Sequence, residues 1–291
     1  MRLIRHGESG RELPGVILPD GRMIDASQEF REFDEGFFAC GGLESLQSWV
    51  KDGYPQGSAI PKDTRLGAPI SRPSKLVCVG KNYLDHALEF GGEVPDEPVL
   101  FMKATSACCG PYDDVILPSG CEKLDYEVEL AVVIGQTAKN VTKKEALDHI
   151  GGYTILCDYS ERAWQKEHCG QWVKGKSADT FAPFGPCLVT TDELTDPQSL
   201  YLWTTVNGEK RQNGWSGNMM FSVSYLVSYI SKFMTLLPGD IIATGTPAGV
   251  GMGMTPPRFL SAGDQVELGI KGIGSMRQRI IPPSKSNQPN D

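Results

Sequence analysis

The run of residues 125–134 constrains the fold more than any other part of the sequence. Successive side chains of a β-strand point to opposite faces, so one face of this run is apolar throughout. The other face carries Asp125, Glu127 and Glu129, and three neighbouring carboxylates repel one another. A hard divalent cation would offset that repulsion, because two acids spaced two residues apart on a strand can reach the same ion. A solvated sheet face that happens to carry acids is the alternative explanation.

Short strand-like segments recur along the rest of the chain. We predict strands at residues 75–79, 99–102, 153–157, 241–244 and 265–270, and a hairpin over residues 15–24 with a tight turn at Asp20-Gly21. Helices are predicted at residues 43–50, 83–90, 160–167 and 223–233. Another helix is predicted from Thr142, which forms a capping box with Glu145, to Gly151. Many strands and few long helices indicate a β-rich α+β fold.

Proline and glycine cluster between residues 53 and 75, which is typical of an extended connector. We therefore predict two domains. Residues 1–70 would form a small N-terminal β-rich module with its linker, and residues 71–291 would form the main domain. The polar tail that begins at residue 282 is expected to fray.

Charge and cysteine content exclude several classes of function. The 28 basic and 36 acidic residues give a formal charge of −8 without any basic stripe, so nucleic acid is not expected as a partner. The longest apolar runs have only strand length, so no membrane segment is expected. The eight cysteines include no C-x-x-C pair and no zinc spacing, which favours reduced thiols and a cytoplasmic protein over a disulfide framework.

A further acid, Asp158, follows the apolar strand predicted at residues 153–157. A single acid between a strand and a helix is usually a turn or N-cap residue. Together with Glu127 and Glu129, however, Asp158 makes a metal site of three carboxylates plausible.

Three possible hydrogen-bond donors for an anion lie downstream. Arg162 and Gln165 are three residues apart on a predicted helix and share a face, and Lys176 lies in a predicted polar loop at residues 174–177 that contains a glycine. An anionic substrate or a developing oxyanion needs such donors. Taken singly, each of them could equally be an ordinary surface residue.

A histidine and a glutamate are also three residues apart on the helix predicted at residues 83–90. His86 and Glu89 can touch there, and a carboxylate beside an imidazole orients the ring and raises its basicity. Such a pair suits a general base near neutral pH. An exposed surface pair is the alternative. Gly91-Gly92 follows directly and could make this helix a flexible lid.

Taken together, these segments resemble the fumarylacetoacetate hydrolase family over residues 77–278. The residues that carry the resemblance are Val79-Gly80-Lys81-Asn82-Tyr83, Phe101-Met102-Lys103, Tyr126-Glu127-Val128-Glu129-Leu130, Asp158-Tyr159-Ser160-Glu161-Arg162, Gly175-Lys176-Ser177 and 244–251. The resemblance implies a mixed β-roll catalytic domain, a homodimer and a bound Mg²⁺, with Mn²⁺ or Ca²⁺ as substitutes. It is closest to bacterial acylpyruvase-like members and to those that hydrolyse 2,4-diketo-3-deoxy sugar acids.

The resemblance also implies roles for individual residues. It assigns the metal to Glu127, Glu129 and Asp158, and catalysis to His86, Glu89 and Lys176. The residues it implies for binding a small anionic 2-oxo acid are Arg162, Gln165, Lys103, Tyr83 and Thr246. Asp125 is adjacent to the metal motif but is not implied as a ligand.

The expected reaction is hydrolysis of a C–C bond in a 2,4-dioxo acid, which gives pyruvate and a second acid. Decarboxylation of oxaloacetate and isomerisation or dehydration of 2-oxo acids could use the same metal site. A non-catalytic metal-binding scaffold is the alternative from another class. The sequence carries no motif that identifies the distal half of the substrate.

Overall fold

The computed structural model describes residues 1–89 and 94–283, and strands predominate in this part of the chain. The strands are β1 (Arg2–His6), β2 (Leu13–Ile17), β3 (Met23–Asp25), β4 (Ser58–Ile60), β5 (Leu66–Gly67), β6 (Leu76–Gly80), β7 (Val99–Lys103), β8 (Cys108–Cys109), β9 (Val115–Ile116), β10 (Leu124–Asp125), β11 (Val128–Ile134), β12 (Ile150–Cys157), β13 (Ser160–Glu161), β14 (Ala182–Thr190), β15 (Tyr201–Val206), β16 (Glu209–Trp215), β17 (Ile241–Ala243), β18 (Gln265–Ile270) and β19 (Gly274–Ile281). The α-helices are α1 (Glu35–Ala39), α2 (Gly42–Lys51), α3 (Leu84–Glu89), α4 (Arg162–Lys166), α5 (Val173–Lys176) and α6 (Val223–Phe233). The expected β-rich α+β class is confirmed.

Most of the strands belong to two mixed sheets. The larger has the order β4-β3-β2-β1-β14-β12-β11-β17-β6-β7, with β5 beside β1 and β8 beside β14. It is mixed because β17 runs parallel to β6, whereas β11 pairs antiparallel with both β12 and β17. The smaller sheet, β16-β15-β18-β19-β9, packs against the central strands β11, β12 and β14.

The central strands β11, β12 and β14 are buried along their whole length. Strands covered on both faces are expected to be almost continuously apolar, and these three consist mainly of apolar residues and glycine. An acid in such a strand is exceptional, because burial of a charge is costly unless a partner compensates it. Glu129, in β11, is therefore the residue in the core that most needs an explanation.

The run of residues 125–134 is less regular than the sequence predicts. Strand β11 begins only at Val128, while Asp125 belongs to β10 and pairs with Ser160 of β13. The register that pairs Val128 with Cys157 nevertheless continues to Asp125 and Ser160. The ladder is interrupted between these pairs, at the point where Glu127 and Asp158 face each other.

Two predicted helices differ from the structure. Thr142 and Glu145 form the expected reciprocal hydrogen bonds, but only a 3₁₀ turn, Ala146–His149, follows them. Gly151 lies inside β12, because pairing with both β11 and β14 outweighs the local helical signal in this segment. The other helix begins at Arg162 rather than residue 160, and the Glu161 side chain accepts the capping hydrogen bond from the Ala163 N–H group.

The N-terminal segment joins the large sheet directly. Strand β1 pairs with β14 through Arg2 and Val189, and β4 and β5 lie within the segment that the sequence marks as a connector. Arg65 reaches across the predicted boundary and forms an ion pair with Asp113 at 2.6 Å. That residues 1–70 and 71–291 form separate domains remains a prediction.

Over residues 1–89 and 94–283, no helix is long and apolar enough to cross a membrane. All eight cysteines are free, and only Cys40 and Cys169 are exposed. Burial raises the pKa of Cys108 and of Cys187 to about 12. Burial likewise raises the pKa of Cys78 well above its ordinary value.

We expect iodoacetamide at neutral pH to modify Cys40 and Cys169 in the folded protein and to leave turnover unchanged. The thiolate is the reactive form, and the buried thiols are held protonated. Peptide mapping by mass spectrometry, with turnover measured on the same sample, checks this. Loss of turnover that substrate prevents would show instead that a cysteine takes part in the reaction.

Candidate metal and substrate site

Three buried carboxylates converge where β11 begins and β12 ends. Each of Glu127, Glu129 and Asp158 offers one oxygen atom, and these atoms lie within 4.8 Å of one another. The strand register accounts for the cluster, because Glu127 directly precedes Val128 and Asp158 directly follows its partner Cys157. The Asp158 N–H group donates to the Glu127 carbonyl oxygen at 2.9 Å, which holds the two residues opposite each other.

Two lysines provide positive charge to this cluster. The Nζ atom of Lys176 lies 2.8 Å from Glu127 Oε2 and 2.7 Å from Asp158 Oδ2. The Nζ atom of Lys103 lies 2.6 Å from Asp158 Oδ1 and donates to the Tyr159 carbonyl oxygen. Both side chains are almost completely buried, so their position is set by these contacts.

Close packing of two short helices positions Lys176. The sequence predicts a polar loop at residues 174–177, but α5 occupies residues 173–176 and packs against α4 through Gly175. A Cβ atom at Gly175 would lie only 2.5 Å from the Glu161 carbonyl oxygen and 2.6 Å from the Gln165 nitrogen. Glycine is therefore required here for Lys176 to reach the carboxylates.

Asp125 serves the site without joining the carboxylate cluster. Its carboxylate accepts hydrogen bonds from Arg162 Nε at 2.9 Å and from the N–H groups of Gly251 and Met252. Arg162 in turn lies 2.7 Å from Glu127 Oε1 and donates to Gln165 Oε1 at 3.1 Å. Asp125 thus orients Arg162 and holds the loop that carries Met252.

The charges of this buried centre do not balance. The four carboxylates of Asp125, Glu127, Glu129 and Asp158 face three cations, those of Lys103, Arg162 and Lys176. Burial alone would raise the pKa of Glu127, but Lys176 and Arg162 outweigh burial and lower it well below its usual range. Burial, together with the charges of Asp158 and Glu127, raises the pKa of Glu129 well above normal.

Glu129 is thus the carboxylate that lacks a cation. Among the residues that the structure describes, the Gly245 N–H group donates a hydrogen bond to Glu129, at 2.8 Å. A divalent cation among Glu127, Glu129 and Asp158 would relieve the repulsion, and oxygen ligands of this kind suit Mg²⁺ or Mn²⁺. The donor set therefore fits a hard divalent metal.

The predicted contact between His86 and Glu89 is present on α3. Nδ1 of His86 lies 3.0 Å from Glu89 Oε2, and Glu89 Oε1 accepts from the Gly249 N–H group at 2.6 Å. Glu89 is therefore fixed between the histidine and a backbone loop, so the imidazole orientation is set. Gly91 and Gly92, the expected flexible pair, lie outside the described residues.

A narrow pocket of about 40 Å³ brings most of the predicted site residues together. Those that line it are His86, Glu127, Glu129, Arg162, Gln165, Lys176 and Thr246. Asp158, Lys103 and Tyr83 are not among its lining residues. Lys103 contacts Asp158 and Tyr83 is buried, so the role of both as substrate contacts stays a prediction.

Several residues that shape the pocket have no recognisable signal in the sequence. Lys81, Lys166, Trp172 and Met252 line it, yet no spacing pattern singles them out. Gln212 of β16 was also missed: its side chain accepts from the Val128 N–H group and donates to Thr246, so it joins the smaller sheet to the site. Only the tertiary fold brings these residues to the site.

Comparison with known proteins identifies the class. The family described as fumarylacetoacetate (FAA) hydrolase C-terminal matches residues 75–281. A Burkholderia lata protein, named provisionally as a hydrolase, is 48% identical over 279 residues, which cover 96% of this chain and 98% of that protein.

Two solved structures are similar over nearly the whole chain. A 2-hydroxyhepta-2,4-diene-1,7-dioate isomerase from Mycobacterium marinum has a TM-score of 0.74 and 36% identity, covering 98% of this chain and all of that one. A maleylpyruvate hydrolase from Sphingobium sp. SYK-6, in complex with manganese(II) and pyruvate, has a TM-score of 0.81 and 28% identity, with coverage of 98% and 100%. The chain therefore belongs to the fumarylacetoacetate hydrolase family, whose members include hydrolases and isomerases.

We expect Mg²⁺ or Mn²⁺ at about 100 times its dissociation constant to raise the unfolding temperature by about 5 °C, because a ligand that binds only the folded state adds about 2.7 kcal/mol. In Glu129→Gln this increase should fall below about 1 °C. Differential scanning calorimetry after EDTA treatment, with and without added metal, checks both.

The same variant should be at least as stable as the parent without metal. The raised pKa of Glu129 means that the folded state binds its proton more tightly than the unfolded state does. The free energy of unfolding therefore falls as the pH rises above about 4.3, the pKa of glutamate in the unfolded state. Glutamine does not titrate, so the variant avoids this loss. Glu122→Gln, the same change at an exposed position, is the control and should keep the full metal response. An undiminished metal response in Glu129→Gln would rule out this metal site.

Proposed function

We propose that this protein is a metal-dependent hydrolase that cleaves a C–C bond in a 2,4-dioxo acid to give pyruvate and a second acid. One observation carries the proposal: His86, which Glu89 orients, lines the same pocket as Glu127 and Glu129 of the carboxylate cluster. A site that only bound a metal would have no use for an oriented imidazole beside it. The manganese and pyruvate in the related maleylpyruvate hydrolase support the same assignment.

Glu127, Glu129 and Asp158 would hold the divalent cation, and Mg²⁺ is the ion we propose. When bound, the cation would stabilise negative charge on the oxygen atoms of the 2-oxo acid. It would also reverse the sign of the site, because one uncompensated carboxylate would give way to one excess positive charge. The pocket could then accept an anionic substrate despite the acidity of the whole chain.

His86 acts as the general base in this proposal. Glu89 holds Nδ1, so Nε2 takes a proton from the water whose oxygen attacks the C4 carbonyl carbon. The bond between C3 and C4 then breaks, and its electron pair passes into the enolate of pyruvate. A proton returned to C3 completes the reaction.

Three donors stabilise the developing negative charge. Lys176 lines the pocket as a buried ammonium group whose pKa is raised, because Asp158 and Glu127 outweigh the opposing effect of burial, so it stays charged. Gln165 accepts from Arg162 through its oxygen, which directs its amide N–H groups to other acceptors such as the substrate. Arg162 itself is anchored by Asp125 and Glu127 and mainly fixes the geometry.

Isomerisation of a 2-oxo acid is the second candidate, and the similarity to the Mycobacterium marinum isomerase favours it. It needs proton transfer between carbon atoms but no attacking water. Decarboxylation of oxaloacetate likewise needs no water. The His86–Glu89 pair is what favours hydrolysis over both, because it is suited to activating a water molecule. A cytoplasmic location and a homodimer remain part of the proposal.

We expect His86→Ala to lower kcat/KM for acylpyruvate hydrolysis by about 10²–10⁴, the usual contribution of a general base. Any decarboxylation of oxaloacetate should change by less than about tenfold, because that reaction uses no attacking water. Steady-state assays of both substrates with Mg²⁺, on the same preparations, measure the difference.

His168→Ala makes the same substitution at an exposed histidine outside the pocket and should match the parent protein in both assays. Glu89→Gln should fall between the parent and His86→Ala, because it leaves the imidazole in place but weakens its orientation. Equal losses of both activities in His86→Ala would assign His86 to binding or folding and contradict the hydrolytic role.

A further inference from the structure

We propose that Lys81 and Lys166 form an anion subsite at the mouth of the pocket, which binds the distal carboxylate of a dicarboxylic 2,4-dioxo acid. This inference rests on the proposed function and extends it to the half of the substrate that no sequence motif identifies. We call the pair the distal lysines. Both line the pocket, but neither is in the buried centre that holds Glu127 and Glu129.

The backbone holds Lys81 in an unfavourable conformation. Its φ angle is 55°, in the left-handed region that a residue with a side chain rarely adopts. The next residue explains why this conformation persists. Asn82 is fully buried, donates to the carbonyl oxygens of Thr244 and Phe221, and accepts from the Phe221 N–H group. These three hydrogen bonds fix the turn after β6. Strain of this kind concentrates at functional sites.

Lys81 has no counter-ion over residues 1–89 and 94–283, where it makes neither an ion pair nor a hydrogen bond. By contrast, the three buried cations of the centre, Lys103, Arg162 and Lys176, are all paired with carboxylates. The ammonium group of Lys81 lines the pocket, is half-buried and has no anion beside it among the described residues, and the backbone that carries it is strained. Such a group is suited to binding an anion from outside the chain.

A second feature shows that this side of the pocket is built for a ligand. Trp172 packs directly on the end of β6, where a Cβ atom at Gly80 would lie 2.6 Å from its ring. Trp172 also contacts Phe101 edge-on, with ring centroids 5.3 Å apart. The two rings give an apolar wall next to the distal lysines, which suits the carbon chain between two carboxylates.

Lys166 adds positive charge on the same side. It follows Arg162 by one helical turn, so α4 presents both toward the pocket. Partial burial lowers the pKa of Lys166, and the nearby charges of Arg162 and Lys81 lower it further. Like charges brought together in this way repel one another, and a bound carboxylate would relieve that repulsion.

These positions define a substrate with an anion at each end. The 2-oxo acid end would lie at the buried carboxylates, where the divalent cation fits, and the second carboxylate would lie at the exposed mouth. A monocarboxylic acylpyruvate would leave Lys81 without a counter-ion in the pocket. We therefore expect a preference for the diacid.

The test compares two substrates of equal chain length, 2,4-dioxoheptanedioate and 2,4-dioxoheptanoate, which differ only in the distal carboxylate. The parent protein should cleave the diacid with the higher kcat/KM. In Lys81→Met and in Lys166→Met the ratio of the two kcat/KM values should fall about tenfold, the scale of one hydrogen bond to a charged group. Lys139→Met, an exposed lysine outside the pocket, should keep the parent ratio.

A measurement on the unmodified protein guards against misfolded variants. The KM of the diacid should rise more steeply than that of the monoacid between about 0.05 and 0.5 M salt, because screening weakens the added charge pair. Calorimetric binding of both acids to the His86→Ala protein separates the two proposals. If neither acid is cleaved but the diacid binds more tightly and depends on Lys81, the subsite stands and the proposed reaction fails. Equal preference for the two acids, or a ratio that both variants leave unchanged, overturns the subsite.

Discussion

The centre of this protein depends on the antiparallel register between β11 and β12. Because Val128 faces Cys157, the residues on either side, Glu127 and Asp158, meet at the point where the ladder opens. Glu129 lies beside them in β11, whose other residues are all apolar. A shift of one residue in the pairing register of β11 and β12 would turn the acids of one strand to the opposite face of the sheet. The three carboxylates would then no longer lie together. The hydrophobic pattern of two buried strands therefore determines where the charge lies.

The other residues of the site compensate most of that buried negative charge. Lys176 and Lys103 neutralise Asp158 from two sides, and Arg162 neutralises Glu127 while Asp125 holds Arg162 in place. Gly175 contributes only by allowing α5 to approach α4 closely enough. These groups compensate all but one negative charge, which remains with Glu129. A buried, uncompensated carboxylate is unfavourable in a protein core, and a divalent cation bound beside it would compensate its charge.

Local sequence predicted several contacts between side chains of the candidate site better than it predicted the elements around them. The alternation of side chains along residues 125–134 pointed to the acids of that run. A spacing of three residues on a helix pointed to the contacts of His86 with Glu89 and of Arg162 with Gln165. The failures occur where partners distant in sequence decide the outcome. The capping box at Thr142 yields only a 3₁₀ turn, because β12 takes Gly151 into the sheet. Gln212 was not predicted, and Lys81 was named only within a motif of the family resemblance, because their positions arise from a contact between the two sheets and from a turn that Asn82 fixes. No pattern within one segment contains that information.

The most direct test of the account is the location of the metal. A crystal of the protein grown with Mn²⁺ should show one strong anomalous scattering peak, measured near the manganese absorption edge. We predict that this peak lies within about 2.5 Å of one carboxylate oxygen from each of Glu127, Glu129 and Asp158, close to the distances expected for hard divalent ions. A fully loaded crystal with no peak among these residues, or with its strongest peak elsewhere, would contradict the central claim.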